Sequence, residues 1–223
     1  MKITEDIHFY PWESFTQNNC NSILLTGEVK TLIDPGHEAP FPELAAQLKQ
    51  DGVDASELDL IINTHSHPDH FEASQDLARQ YGVRVAMHPQ GEEYLQKMGP
   101  MFSQAMGREA PKIHIDLHLV EGELELGSRK VLVYHTPGHS PGSICLYLPE
   151  EKVLISGDLF FASGVGRYDF PGGSGAELKK SIERISELEI EIVLPGHGGM
   201  LSGRDMVERN FQLIREFYFP MLQ

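Results

Sequence analysis

Positive charge is in short supply in this chain: 18 Lys and Arg face 33 Asp and Glu, for a formal charge of −15 at pH 7. Affinity for nucleic acid rests largely on Lys and Arg contacts to phosphate, so this balance speaks against a nucleic-acid partner. Cysteine is nearly absent. Cys20 and Cys145 are too few for a disulfide framework, and Cys145, set in the apolar run Ile144-Cys145-Leu146-Tyr147-Leu148, reads as a small core hydrophobe, with a catalytic thiol as the lesser alternative. No apolar run reaches the length of a membrane span, and the opening Met1-Lys2-Ile3-Thr4-Glu5-Asp6 carries no apolar signal core. These absences predict a cytoplasmic protein with no membrane partner. Linkers and internal repeats are also missing, so the 223 residues are expected to form one domain spanning 1–223.

Histidine, by contrast, is concentrated. The run His65-Ser66-His67-Pro68-Asp69-His70 packs four metal-capable side chains into six residues. It follows Leu58-Asp59-Leu60-Ile61-Ile62-Asn63-Thr64, which has the length and composition of a buried strand, and it precedes a helical pattern, so it is a strand-to-helix loop. Imidazoles at alternate positions of an extended chain point the same way, and an Asp-His pair two residues on aims a second set nearby. Capping and solvated polar residues are the bland alternative, since Asp and Ser are common at helix starts. Three histidines and an aspartate in one run favour metal.

A site for two metals with nitrogen and oxygen donors needs roughly seven protein ligands plus water. Three further candidates stand at strand ends beside glycine. Val131-Leu132-Val133-Tyr134 runs into His135-Thr136-Pro137-Gly138-His139-Ser140, Val153-Leu154-Ile155-Ser156-Gly157 into Asp158, and Ile192-Val193-Leu194 into Pro195-Gly196-His197-Gly198. Ligands on loops at one end of a sheet, brought close by glycine, are how rigid scaffolds build sites.

Taken together, these motifs resemble the metallo-β-lactamase superfamily and, within it, the glyoxalase II-like (hydroxyacylglutathione hydrolase-like) hydrolases. The resemblance runs from Asn21 to His197 and includes Leu32-Ile33-Asp34-Pro35-Gly36, the H-x-H-x-D-H run, the stretch His135 to Ser143, and Gly157-Asp158-Leu159-Phe160 continuing through Gly166-Arg167-Tyr168-Asp169 to Pro171-Gly172-Gly173. It implies an α+β fold, an αββα four-layer sandwich. It further implies one metal on His65, His67 and His139, a second on Asp69, His70 and His197, and Asp158 bridging them. Flavodiiron-type oxygen reductases carry Glu where this chain has His67, and the commonest zinc β-lactamases carry Cys where it has Asp158, so both branches are disfavoured. The implied cofactors are two divalent ions per chain, zinc first, with iron or manganese as alternatives that mixed imidazole and carboxylate ligands also suit. The implied reaction is hydrolysis of a small-molecule thioester by hydroxide shared between the metals, with Asp69 also accepting its proton. An iron-dependent persulfide dioxygenase, held by the equivalents of His65, His139 and Asp158, is the rival from another class; a lactonase or other ester hydrolase is a third reading.

Around these positions the expectations are coarser. Asp34 is a candidate to orient a ligand imidazole, with a turn role before Pro35-Gly36 as the alternative, and His135 is a core or supporting histidine rather than a ligand. Arg167 either grips a substrate carboxylate or pairs with Asp169. The family's glutathione contacts come from a longer helical carboxy-terminal segment, whereas here only Arg204, Arg209 and Arg215 are basic beyond His197, which weakens glutathione recognition. The segment from Gly91 to Ile113 reads as interrupted helix or loop that covers something apolar. Met98, Met101 and Met106 pack on the sandwich or at a homodimer contact, or Met101 and Phe102 wall the acyl side of the substrate pocket. Strands are expected at 21–26, 29–34 and 83–87 and through 117–157, and helices from Pro42 to Gly52, Phe71 to Tyr81, Gly175 to Glu187 and Arg204 to Phe219.

Overall fold

Strands buried on both faces explain why the apolar runs here are continuous rather than alternating. The computed structural model describes residues 1–14, 16–105 and 113–222. One sheet holds β1 (Ile7–Tyr10), β2 (Ser22–Leu25), β3 (Thr31–Ile33), β4 (Leu60–Ile62), β5 (Arg84–Met87) and β6 (Leu117–His118) in that spatial order. Its first two pairings are antiparallel and the rest parallel. The second sheet begins with β7 (Gly122–Leu126), β8 (Arg129–His135), β9 (Ile144–Leu148) and β10 (Val153–Gly157), each antiparallel to the next. A small hairpin, β11 (Phe160–Phe161) with β12 (Gly164–Val165), leads out of the sheet. The chain then returns as β13 (Ile192–Pro195), parallel to β10, and closes with antiparallel β14 (Leu201–Ser202).

Alternate residues of each strand go to different layers. Ile23, Leu25, Ile33, Leu60 and Ile62 of the first sheet share a core with Val131, Val133, Ile144, Leu146, Val153 and Ile155 of the second. Their neighbours Leu24, Leu32 and Ile61 turn outward onto Leu44 and Leu48 of α1 (Phe41–Gln50) and Leu77 of α2 (Pro68–Tyr81). On the other side Cys145, Leu154 and Val193 meet Leu178, Ile182 and Ile185 of α4 (Gly175–Ile185) and Val207, Phe211 and Ile214 of α5 (Arg204–Phe217). The result is the four-layer αββα sandwich, two sheets with helices outside. No helix among the described residues is long and apolar enough to cross a membrane.

Several boundaries differ from expectation. Helix α2 starts at Pro68, with its fixed φ suited to a first position, so Asp69 and His70 lie in the first helical turn rather than in a loop. It ends at Gly82, whose φ of 72° is the left-handed closing residue. Strand β1 escapes the sequence pattern. The Gly91 to Ile113 segment is mostly one helix, α3 (Pro89–Ala105), which runs through Gly99 and Pro100. One missing N–H does not end a helix anchored by Leu95 against Phe71 and Met87. Met106, Pro111 and the side chain of Phe102 lie outside the described residues.

Candidate metal centre

Four strands deliver their carboxyl ends to one place. His65 follows β4, His67 is the residue that caps α2, and Asp69 and His70 occupy its first turn. His139 follows β8, Asp158 follows β10, and His197 follows β13. The approach is close enough that glycine is needed: a Cβ on Gly196 would lie 2.3 Å from Asp158 Oδ1 and 2.7 Å from His70 Cε1. Asn21, fully buried, donates from Nδ2 to the carbonyls of Pro195 and Gly198, both at 2.9 Å, and so pins the loop bearing His197.

The seven side chains singled out from the sequence sort into two triads joined by Asp158. His139 Nε2 lies 3.2 Å from His65 Nε2 and 2.8 Å from His67 Nδ1. On the other side His70 Nε2 lies 3.3 Å from His197 Nε2, which is 3.4 Å from Asp69 Oδ2. Asp158 reaches both, with Oδ1 3.4 Å from His70 Nε2 and Oδ2 3.5 Å from His139 Nε2 and 3.4 Å from His197 Nε2. Atoms bound to one small cation are roughly 3 to 3.5 Å apart, so these spacings suit ligation. His65, His67 and His139 form one group with metal-binding geometry, and Asp69, His70 and His197 another.

Hydrogen bonds behind the imidazoles show which nitrogens face inward as acceptors. His139 Nδ1 donates to the Arg167 carbonyl at 2.6 Å, which leaves Nε2 as a lone pair. His70 Nδ1 donates to Asp34 Oδ2 at 2.9 Å, so its Nε2 is a lone pair when the ring is neutral. Asp34 also accepts from Thr64 N at 2.7 Å and Thr64 Oγ1 at 2.6 Å, so the turn residue of the sequence is a buried support for the centre. Asp158 Oδ1 is buried without a hydrogen-bond donor among the described residues. Lone pairs converging on lone pairs and on an orphaned carboxylate oxygen repel unless a cation lies among them, and the donor set fits one at each triad.

The ionisation pattern differs between the two triads. Burial first, then the neighbouring histidines, pushes His65 well below its ordinary value and His67 down to about 4, and burial lowers His139. Neutral imidazole is the ligand form. Around the other triad burial again opposes charge most strongly, but Cys20, Asp158 and Asp34 raise His70 well above the usual value, and Asp158 and Asp69 lift His197 to about 9. Burial works against ionising Asp69 and Asp158 as well. Contacts with His197 and His70 nevertheless hold both carboxyls well below the usual range. Positive charge is wanted at this end of the site.

Other sequence candidates fall outside the cluster. His135 donates from Nε2 to the Pro141 carbonyl at 2.8 Å and stacks on His88, ring centroids 4.0 Å apart. Cys145 is buried in the core beneath α4 with its thiol pushed up to about 12 by desolvation, which removes it as a nucleophile. Arg167 pairs with Asp169 in a two-point bridge of 2.9 and 2.8 Å, the second of its two readings. Met101 is 61% exposed. Missed altogether were Asn18, which donates to Asp69 Oδ2 at 2.9 Å, and three aromatic rings at the rim. Phe170 and Tyr94 lie edge-on to His67 at 5.4 and 6.5 Å between centroids, and Phe161 lies 5.9 Å from His197. The polar run Asn18-Asn19 before β2 was the available signal for the first; the rings come together only through tertiary folding.

Comparison with known proteins gives a consistent result. The family model of the Metallo-beta-lactamase superfamily matches residues 15–197. A probable metallo-hydrolase of Methanocaldococcus jannaschii is 37% identical over 185 residues, covering 80% of this chain and 87% of the relative. The hydroxyacylglutathione hydrolase GloC of Haemophilus influenzae is 32% identical over 202 residues, covering 86% and 91%. Among solved structures, TTHA1623 in a di-iron-bound form superposes with a TM-score of 0.73 at 32% identity, covering 92% of this chain and 96% of that one.

Proposed function

Because this chain belongs to the metallo-beta-lactamase superfamily, we propose that it is a binuclear metal-dependent hydrolase of a small-molecule thioester, of the hydroxyacylglutathione type at its most specific. The observation that carries the reading is Asp158, buried, whose Oδ2 lies 3.5 Å from His139 of one triad and 3.4 Å from His197 of the other, with Oδ1 3.4 Å from His70. One ion belongs on His65, His67 and His139, the other on Asp69, His70 and His197, with zinc the first choice and iron or manganese the alternatives. Bound there, the pair of ions would bring the pKa of a shared water from about 16 toward about 7 and polarise the substrate carbonyl.

The protein's own groups do the rest. Asp158 supplies negative charge to both triads and so sets their separation. Asp34 and the Arg167 carbonyl keep the ring N–H protons of neutral His70 and His139 on Nδ1, away from the centre. Asp69 is kept ionised and accepts from Asn18 at Oδ2, and its carboxylate is the group placed to take the proton of the attacking water. The water oxygen bonds to the acyl carbon, the C–S bond breaks, and the sulfur leaves with the bonding pair as thiolate. A thiol with a pKa of about 8.5 departs with little help from an acid. GloC supports this substrate class as a relative.

The test is a panel of thioesters and lactones with metal-reconstituted protein, run beside Asp158→Ala. Removing the shared carboxylate should lower metal content and hydrolysis together. An Asp158→Ala protein that keeps two metals and most of its activity sinks the assignment, and oxygen uptake with a persulfide in place of hydrolysis replaces it by the dioxygenase reading.

A further inference from the structure

One rim of the centre is built differently from the other, and all of its parts touch His67. Phe170 comes from the loop after β12 and Tyr94 from α3, and both meet the same imidazole edge-on. These two elements also touch each other: a Cβ on Gly172, two residues past Phe170, would lie 3.3 Å from Tyr94 Cε2. Phe170 is 38% exposed, so part of its ring remains open beside the buried triad. The Arg167 guanidinium lies over the ring, 4.0 Å from its centroid, and is paired with Asp169. Burial raises the Tyr94 hydroxyl above its ordinary pKa, so it stays a neutral donor at physiological pH.

We propose that Tyr94 and Phe170 form an aromatic clamp on the His67 side of the centre that holds the acyl arm of the substrate, so that thioesters with apolar or aromatic acyl groups are preferred over small polar ones. This rests on the thioester reading above. The choice of arm follows from charge. Aromatic faces are the negative part of the ring quadrupole, which disfavours the thiolate that develops on the leaving atom and suits a neutral acyl group. Arg167 cannot attract a carboxylate here without giving up its two-point bridge to Asp169. An apolar site with one hydroxyl is the usual make-up of a small-molecule pocket. The clamp draws on a different position of α3 from the Met101 and Phe102 named from the sequence. Met101 lies two turns, roughly 10 Å, farther along the same face than Tyr94 and is exposed.

The experiment uses metal-loaded protein and two series of thioesters: one thiol with acetyl, lactoyl, butyryl and benzoyl groups, and one acyl group on several thiols. Wild type should favour benzoyl and butyryl. Phe170→Ala and Tyr94→Ala should each lower kcat/KM for these by about tenfold, the scale of a lost aromatic contact plus its burial, and leave acetyl nearly unchanged. Tyr94→Phe should keep the ranking, and Met101→Ala should behave as wild type. A uniform fall across the acyl series, or a change that follows the thiol instead, overturns the clamp. Calorimetric binding of benzoate and acetate to the same proteins separates this proposal from the broader one. If no thioester is hydrolysed but benzoate binds at least about tenfold tighter than acetate and Phe170→Ala abolishes the difference, the clamp stands and the thioester reading falls. Equal binding of the two acids in wild type removes the clamp whatever the substrate.

Discussion

At the scale of single residues the most informative side chain is Asp34, which touches no candidate cation position yet decides the state of one that does. It is buried, adopts a φ of 52°, and spends its carboxylate on Thr64 N, Thr64 Oγ1 and His70 Nδ1. Every one of those partners is a donor, so the site requires an acceptor at both oxygens. Asparagine tolerates the same left-handed backbone, which makes Asp34→Asn a test of chemistry rather than of folding. Its amide group would confront either Thr64 or the Nδ1 proton of His70, and the second arrangement relocates that proton to Nε2, the nitrogen that faces His197. We expect Asp34→Asn to weaken binding at the Asp69, His70 and His197 triad by about 10- to 100-fold, while the His65, His67 and His139 triad keeps its affinity. Metal titration with two resolvable sites checks this. Equal weakening of both, or of neither, is incompatible with the role given to Asp34. The position was visible in sequence as an aspartate at a strand end, but its three bonds were not, because Thr64 and His70 are brought to it by the parallel pairing of β3 with β4.

At the scale of elements, the start of α3 contains a proton-sensitive cap. His88 precedes Pro89, and its Nδ1 accepts from Gln90 N at 3.2 Å, a bond only the unprotonated nitrogen can accept. Burial, then the charges of His135 and His118, lowers His88 to about 4. The unfolded chain takes up this proton near pH 6.5 and the folded chain only near 4, so the folded state loses stability as the pH falls through that window and is unaffected above it. His88→Gln, which has no such proton to gain, should flatten this part of the stability profile by about 1–3 kcal/mol relative to wild type. Urea unfolding at pH 7.5 and pH 4.5 with both proteins measures it. A pH slope that persists undiminished in the variant assigns the effect elsewhere. Elements with a strong local signal, such as α2 between Pro68 and Gly82 or the runs of β8 to β10, were legible before the structure. Strand β1 was not, since Ile7-His8-Phe9-Tyr10 is buried at all four positions and has no alternation. The helical path of α3 through Pro100 was hidden by the turn-like Gly99-Pro100 pair.

At the scale of the whole molecule the centre is also a fastening between halves. His65, His67, Asp69 and His70 belong to the first sheet and the helix that follows it, whereas His139, Asp158 and His197 belong to the second. Each triad therefore draws on both sheets, and a cation in either place joins them. The αββα layering, and the gathering of seven His and Asp side chains at one place, could be anticipated because strand ends with glycine and histidine mark them in the chain. The aromatic rim could not, because Tyr94 and Phe170 are 76 residues apart in sequence and are brought to the same imidazole, His67, only by the completed fold. Since the unfolded chain scatters the ligands, any ion bound by the folded state adds its binding free energy to stability. At free metal about a thousandfold above Kd this amounts to about 4 kcal/mol per site, or roughly 8 to 16 °C in Tm for a chain of this size. Exhaustive chelation should lower Tm by at least that much, restore it on adding back zinc, and do so less in Asp158→Ala, where the element shared by both triads is gone. A chelated protein shown by elemental analysis to be metal-free, yet melting at the temperature of the loaded one, would mean that the two sheets are held by their core alone and that the cluster plays no part in joining them.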